Sequence, residues 1–268
     1  MENTNFSTTD IHRYPTPNRM YRNQLIDKLL TKLKLPKDMS FLEIGCGTGE
    51  FLWKMNRLGY RGVGVDISHT SVQMAKNRLR GSGIKIYQKD VMVLKGKYYI
   101  VLAFEVFEHV EDDLHALMKV NQLLTDRGLL MLSVPGRREL YNETDRALGH
   151  IRRYEKNDLA AKLQQAGFEI LTIWSWGLPL LSKIRNVAAK RGSRQECATL
   201  ERSKRSGYSR PASLFIKRIY PLYSQFFPLL KLQNLFLDSD FLDCNYLVLC
   251  RKTEGAMVID GLDNEKIV

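Results

Sequence analysis

The stretch FLEIGCGTGE, residues 41–50, constrains this chain more than any other: a short apolar run breaks into three glycines at alternate positions, Gly45, Gly47 and Gly49. An apolar run that ends in such a turn predicts a buried parallel strand feeding a helix, with backbone bared where a ligand can approach. The rest of the chain repeats that unit. A helix over 50–58 leads to GVGVDI, a second strand over 62–67 that closes on Asp66. Ser68 is placed to cap a helix running to 80. A third strand over 84–88 is followed by Asp90 and Val91, and the unbroken apolar run YYIVLAF over 98–104 predicts a strand buried on both faces. A helix over 112–124 precedes the strand GLLMLSV at 128–134, which Pro135 and Gly136 stop.

A polar link over 137–154, a helix over 155–166, a strand over 168–174 and a last strand over 243–252 complete the series. Strands alternating with helices at this spacing predict an α/β fold, a doubly wound Rossmann-like sheet of parallel strands. Ligands bind such sheets outside the carboxyl ends of the strands, where the glycine turn, Asp66, Asp90 and Glu105 all fall. A chain of 268 residues fits one large domain with an insertion better than two equal domains. Residues 1–36 form a polar lead-in and a helix over 18–34, whose apolar stripe is Met20, Leu25, Leu29 or Leu30, and Leu33. Residues 37–252 form the domain, 177–240 its insertion, and 253–268 an acidic mobile tail.

The net charge of +12 is concentrated in residues 177–234 of that insertion, which set twelve lysines and arginines against Glu196 and Glu201. A local basic field points to an anionic partner for this segment. Phe215, Ile219, Leu222, Phe226 and Leu230 repeat near helical spacing within it, broken by Pro221 and Pro228. The segment is open to four uses: a lid over an anionic or amphiphilic substrate, a peripheral membrane contact, a nucleic-acid surface, or a stripe packed on the protein's own core. Four cysteines, Cys46, Cys197, Cys244 and Cys250, show no paired spacing, so reduced thiols are expected. With no apolar run of about 18 residues and no signal-peptide pattern, the expected location is the cytoplasm.

Two readings compete for the glycine turn. A dinucleotide fingerprint, G-x-G-x-x-G, places its third glycine at position 50, where Glu50 stands. An acid opening the helix would also repel the pyrophosphate that a helix N-terminus attracts. S-adenosylmethionine has no phosphate, and its sulfonium and ammonium groups tolerate carboxylates. The combination of E-I-G-C-G-T-G, Asp66 ending the second strand and Asp90-Val91 after the third resembles the class I S-adenosylmethionine-dependent methyltransferases over residues 39–168. That resemblance implies seven strands with the last antiparallel. It places Glu43 near the methionine amine, Gly45 and Gly47 under the cofactor, Asp66 on the ribose, and Asp90 with the Val91 backbone at adenine. Cys46, Gly49, Ile67 and Glu105 complete the expected binding set. The helix over 18–34 becomes a lid, with Tyr14, Tyr21 and Arg22 reaching the methionine end, or else plain surface packing.

The residues after the fourth strand, FEVFEHVEDD, carry the chemistry. Glu105, Glu108 and His109 are spaced to share one side of a helical turn. Methyl transfer is an in-line displacement, so a nucleophile must be aligned and lose its proton. An imidazole titrates near neutrality and serves as that base. Two carboxylates and an imidazole also make a divalent-metal site that lowers the pKa of a substrate hydroxyl. The E-x-x-E-H pattern is similar to that of the ubiquinone-pathway O-methyltransferases and the small-RNA 2′-O-methyltransferases, which implies Mg²⁺ or another divalent ion on Glu105, Glu108, His109 and His150. Base, metal ligand and structural packing all stay open for the cluster. The link D-x-x-x-G-H-x-R-R-Y resembles that of small-molecule methyltransferases, with Tyr154 orienting a hydroxyl and Arg152 or Arg153 meeting an acid or forming a salt bridge. The expected activity is O-methylation of a small molecule, with RNA 2′-O-methylation and N-methylation as alternatives.

Overall fold

The computed structural model describes residues 17–177 and 244–253. Tyr14, Cys197, the body of the basic insertion with its apolar stripe, and the acidic tail lie outside the described residues. In chain order the elements are α1 (Pro17–Leu33), β1 (Ser40–Ile44), α2 (Glu50–Arg57), β2 (Arg61–Asp66), α3 (His69–Arg78), β3 (Lys85–Gln88), β4 (Tyr98–Phe104), α4 (Asp113–Leu123), β5 (Leu124–Pro135), α5 (Glu143–Leu148), α6 (Lys156–Gln165), β6 (Phe168–Trp176) and β7 (Asn245–Lys252). The seven strands form one sheet in the order β3-β2-β1-β4-β5-β7-β6.

β1 lies parallel to both β2 and β4, so the strand order reverses at its edge and leaves a crevice beyond its carboxyl end. The glycine turn leaves β1 into that crevice. β7 runs antiparallel to both β5 and β6, as the resemblance implied. Successive residues of a strand face opposite sides of a sheet. Ile100 and Leu102 of β4 accordingly join one core, with Phe41, Leu52, Met131 and Leu249. Val101 and Ala103 join the other, with Leu42, Leu117, Leu130 and Leu163. The central strands carry apolar residues on both faces because helices cover both: α1, α2 and α3 on the first, α4 and α6 on the second.

The burial on α1 departs from the expected stripe. Tyr21, Leu25, Ile26 and Leu29 are its buried residues, while Met20, Leu30 and Leu33 are partly exposed. Full burial of each aliphatic side chain contributes about 1.5–3 kcal/mol, so packing on the sheet holds the helix in place. Arg19 pairs with Glu50 and Lys54 with Asp27, tying α1 to the helix that opens at the glycine turn. Lys28 and Lys32 cover the Trp174 ring at 5.1 and 5.6 Å. The 137–154 link, for which the sequence indicated no regular element, contains α5 and a 3-10 turn at Arg138–Leu140. ETDRAL is too short and polar for an apolar period to mark it. No helix among the described residues is long and apolar enough to cross a membrane.

Candidate functional site

The three glycines of the turn have φ of +66°, +53° and +74°, a region that costs other residues about 1–2 kcal/mol each. Two of them are also sterically required. A Cβ on Gly45 would stand 2.5 Å from Val106 Cγ2, and one on Gly49 would stand 3.0 Å from Ala75 Cβ. Gly47 differs, since a Cβ there would meet nothing within 4 Å. Its backbone therefore borders open space, the close approach that a cofactor needs. Asp66, at the end of β2, braces the turn: its Oδ2 accepts from the Gly47 N–H and its Oδ1 from the Ser68 N–H, both at 2.8 Å. Asp90 Oδ1 accepts from the Met92 N–H at 2.8 Å and starts the 3-10 turn Val91–Val93. Ile67 is 73% exposed, and Cys46 is buried in the first core.

Two ionisable side chains near this turn keep a buried polar atom without a partner. Glu43 Oε2 and Arg22 Nε have no hydrogen-bond partner. Burial pushes the Glu43 pKa well above its ordinary 4.5, against the opposing pull of Arg22 and Arg19. Burial lowers the Arg22 pKa, with Glu105, Glu108 and Glu43 opposing it. Arg22 Nη1 lies 3.8 Å from Glu105 Oε1 and its guanidinium 5.6 Å from the Phe104 ring centroid. Such an orphaned pair fits the ammonium and carboxylate of a methionine moiety. Tyr21, by contrast, is buried in the first core.

β4 ends in a left-handed residue, Glu105, with φ of +59°. Its N–H donates to Ser133 O at 2.9 Å, and its Oε1 accepts from Ser133 Oγ at 2.7 Å. The chain then makes a 3-10 turn, Phe107–His109. The sequence spacing would align Glu105 with Glu108 and His109, but the left-handed residue and the Ser133 bonds turn it aside. The side chains that gather are Glu108, His109 and His150, whose ligand atoms lie within 4.8 Å of one another. Glu108 has no solvent exposure, and neither of its carboxylate oxygens has a partner. Burial, then Glu105, raises its pKa well above the ordinary 4.5.

The two imidazoles meet edge to face, with centroids 4.8 Å apart. His109 Nδ1 contacts Gly149 O at 3.0 Å, and His150 Nδ1 contacts Asp145 Oδ1 at 3.1 Å. His150 Nε2 lies 3.9 Å from Glu108 Oε1. Desolvation, then the neighbouring His150, lowers the His109 pKa from its ordinary 6.5. The 137–154 link is laced to the 3-10 turn by further bonds. Ile151 N–H donates to Glu108 O at 2.9 Å, and Tyr154 Oη to Phe107 O at 3.0 Å.

Tyr154 is buried, and its single hydroxyl proton is shared between Phe107 O and Asp113 Oδ2, the latter at 2.8 Å, so it is committed within the core. Arg152 pairs with Asp113 at 2.9 Å, and Arg153 forks onto Asp145 at 2.9 and 2.8 Å. Both arginines thus form salt bridges within the chain. Burial raises the Asp145 pKa, but the hydrogen bonds from His150 and Arg153 outweigh it, and the net shift is downward. Asp145 and Ser133 are the site neighbours that sequence reasoning left unassigned. Asp145 stands first in the D-x-x-x-G-H pattern, so a signal for it was present; for Ser133, inside an apolar strand, there was none.

Residues 18–173, more than half of the chain, match a family described as a methyltransferase domain. The chain is 30% identical over 110 residues to the ubiquinone biosynthesis O-methyltransferase of Pelagibacter ubique, covering 40% of this chain and 46% of that protein. It is 33% identical over 103 residues to the protein of that name from Rhodopseudomonas palustris strain TIE-1, covering 37% of this chain and 41% of the other. The matched segment is thus less than half the length of each of these relatives. Among solved structures, the cyclase SpnF superposes with a TM-score of 0.56 at 18% identity, over 88% of this chain and 84% of that one. An S-adenosylmethionine-dependent methyltransferase from Mesorhizobium loti does so with a TM-score of 0.52 at 17% identity, over 82% and 95%. At these identities the structural likeness establishes the fold alone. The chain belongs to the methyltransferase-domain family, with the class I S-adenosylmethionine-dependent fold, and is a distant homologue of the ubiquinone biosynthesis O-methyltransferases.

Proposed function

We propose that this protein transfers a methyl group from S-adenosylmethionine to a hydroxyl oxygen of a small molecule. The observation that carries the reading is the gathering of Glu108, His109 and His150 next to Val106, the residue packed against Gly45 of the cofactor turn. S-adenosylmethionine supplies an electrophilic methyl on its sulfonium. Gly47 and Asp66 hold its nucleoside side, and Glu43 and Arg22 its amino-acid end. Asp90, Val91 and Ile67 border the adenine. The acceptor oxygen must lie in line with the sulfonium and give up its proton. Each imidazole has Nδ1 committed, which leaves an Nε2 lone pair to receive it.

As an alternative use of the same lone pairs, the two imidazoles and the unpartnered Glu108 carboxyl would hold a divalent cation, Mn²⁺ better than Mg²⁺ for a set with two nitrogens, and the Nε2 atoms would then bind the ion instead of taking the proton. Glu105 stays outside that set and contributes through Ser133 and Arg22, while Tyr154 acts as core. Leu148 and Ile151, 41% and 47% exposed on either side of His150, give the mouth an apolar rim that supports an amphiphilic acceptor. The name of the curated relatives supports oxygen as the acceptor atom.

Incubation with methyl-labelled S-adenosylmethionine and a panel of catechols and long-tailed phenols tests the reading, with RNA in parallel. Label is expected in the phenols, abolished by a chelator and restored by Mg²⁺ or Mn²⁺. Label in RNA would replace the small-molecule acceptor, chelator-resistant turnover would remove the metal, and bound cofactor without transfer to any acceptor would refute the activity.

A further inference from the structure

We infer that Asp145, clamped by Arg153, is a positioning residue that fixes His150 as its Nδ1–H tautomer and so keeps the Nε2 lone pair turned toward Glu108 and the acceptor. The consequence for turnover rests on the methyl-transfer reading above, but the tautomer does not. Asp145 comes from α5, the helix that an apolar period does not reveal, and is 2% exposed. Its Oδ1 receives Arg153 Nη2 at 2.8 Å and His150 Nδ1 at 3.1 Å; its Oδ2 receives Arg153 Nε at 2.9 Å and the Asn142 N–H at 3.0 Å. Arg153 is itself buried and donates to Gly136 O at 3.1 Å, which anchors the clamp to the end of β5.

A carboxylate in this setting only accepts hydrogen bonds, so the proton of a neutral His150 must sit on Nδ1. The other ring nitrogen then bears a lone pair, and it is the one 3.9 Å from Glu108 Oε1. The His150 backbone is held as well, since its N–H donates to Asp145 O at 2.9 Å and its carbonyl accepts from Tyr141 Oη at 2.8 Å. His109 is less well equipped. Its Nδ1 partner, Gly149 O, is a neutral carbonyl on a loop. A carboxylate stabilises the imidazolium that forms when a proton is accepted; a carbonyl does so far less. The geometry thus divides the pair: His150 is oriented by a clamped, buried carboxylate, and His109, held only by a loop carbonyl, is its neighbour at the rim.

Asp145→Asn isolates the effect. The Oδ2 position faces two donors that cannot give up their protons, Arg153 Nε–H and the Asn142 N–H, whereas the Oδ1 position faces one, Arg153 Nη2–H, beside a ring whose proton can move to its other nitrogen. The amide nitrogen therefore settles at the Oδ1 position, donates to His150 Nδ1 and drives the ring proton to Nε2. Long-range ¹H–¹⁵N spectra of histidine-labelled full-length protein read this directly, with the His150 signals identified by their loss in His150→Gln. The wild type is expected to show a protonated Nδ1 and an unprotonated Nε2, and Asp145→Asn the reverse. Turnover of an acceptor found in the panel should fall by about 100-fold or more, while calorimetric affinity for S-adenosylhomocysteine stays within about twofold of wild type. A wild-type His150 protonated on Nε2 would overturn the inference without any variant, as would a folded Asp145→Asn protein with an unchanged tautomer. Failure to bind S-adenosylhomocysteine would strike the function instead and leave the tautomer result standing.

Discussion

Glu108→Gln removes a titratable proton from a fully buried side chain while keeping its shape. In the unfolded chain this carboxyl ionises near 4.5; in the folded protein burial and Glu105 hold it protonated well above that. Between the two values the native state carries a proton that the unfolded state has released. The stability this group contributes is therefore complete below about 4.5 and is lost as pH rises through the folded pKa, at about 1.4 kcal/mol per pH unit. Glutamine has no proton to release and no such slope. At about 2–4 °C per kcal/mol, the Tm of the variant should draw ahead of wild type by about 3–6 °C for each pH unit within that window. Urea unfolding followed by tryptophan fluorescence at about pH 5, 6 and 7, without cofactor, measures the slope. Turnover should fall at the same time, because the replaced carboxyl is the one facing His150 Nε2. Parallel stability curves for the two proteins, or a variant that keeps full turnover, would refute the reasoning.

Gly45→Ala combines a φ of +66° with a Cβ 2.5 Å from Val106 Cγ2, so it should lose about 2 kcal/mol or more of stability together with cofactor affinity. Gly47→Ala meets no protein atom within 4 Å and should cost only the backbone strain of about 1–2 kcal/mol, yet weaken calorimetric binding of S-adenosylhomocysteine by about tenfold or more. Equal stability losses with intact binding in both would place the cofactor elsewhere. Tyr154→Phe removes the buried hydroxyl whose proton Phe107 O and Asp113 Oδ2 share, and should lower stability by about 1–3 kcal/mol without changing cofactor affinity. A large loss of turnover at unchanged Tm would instead put its hydroxyl into the chemistry.

The strand and helix series was legible because central strands between two helical layers read as unbroken apolar runs. YYIVLAF matched β4 residue for residue, and most other boundaries fell within a residue or two. β5 is the exception: it begins at Leu124, four residues before the apolar run, through a segment that includes Asp126 and Arg127. Register against β4, not apolarity, extends that strand. α1 shows the same limit at side-chain level. Its period was visible, but which residues face inward depended on where the helix lies on β7, Trp174 and α2. At the site, the E-x-x-E-H spacing pointed to the turn on which Glu108 and His109 meet His150, while the Glu105 side chain bonds to Ser133. A left-handed φ at a residue that is not glycine leaves no mark in spacing.

What the sequence determined by itself is the local part of the protein. Alternating glycines force the turn, Glu50 argues against a pyrophosphate there, Asp66 ends β2 and Asp90 opens the turn after β3, so the methyl donor was readable from short-range geometry. Tertiary structure decided how the chemistry is assembled. His109 and Gly149 are 40 residues apart in the chain yet bonded. Asp145 reaches His150 only because Arg153, Asn142 and Gly136 hold it there, and Tyr154 belongs to the core because its hydroxyl is buried on Phe107 and Asp113. Backbone preference and apolar period act over a few residues, whereas the partner of a buried charge is chosen by the packing of the whole sheet.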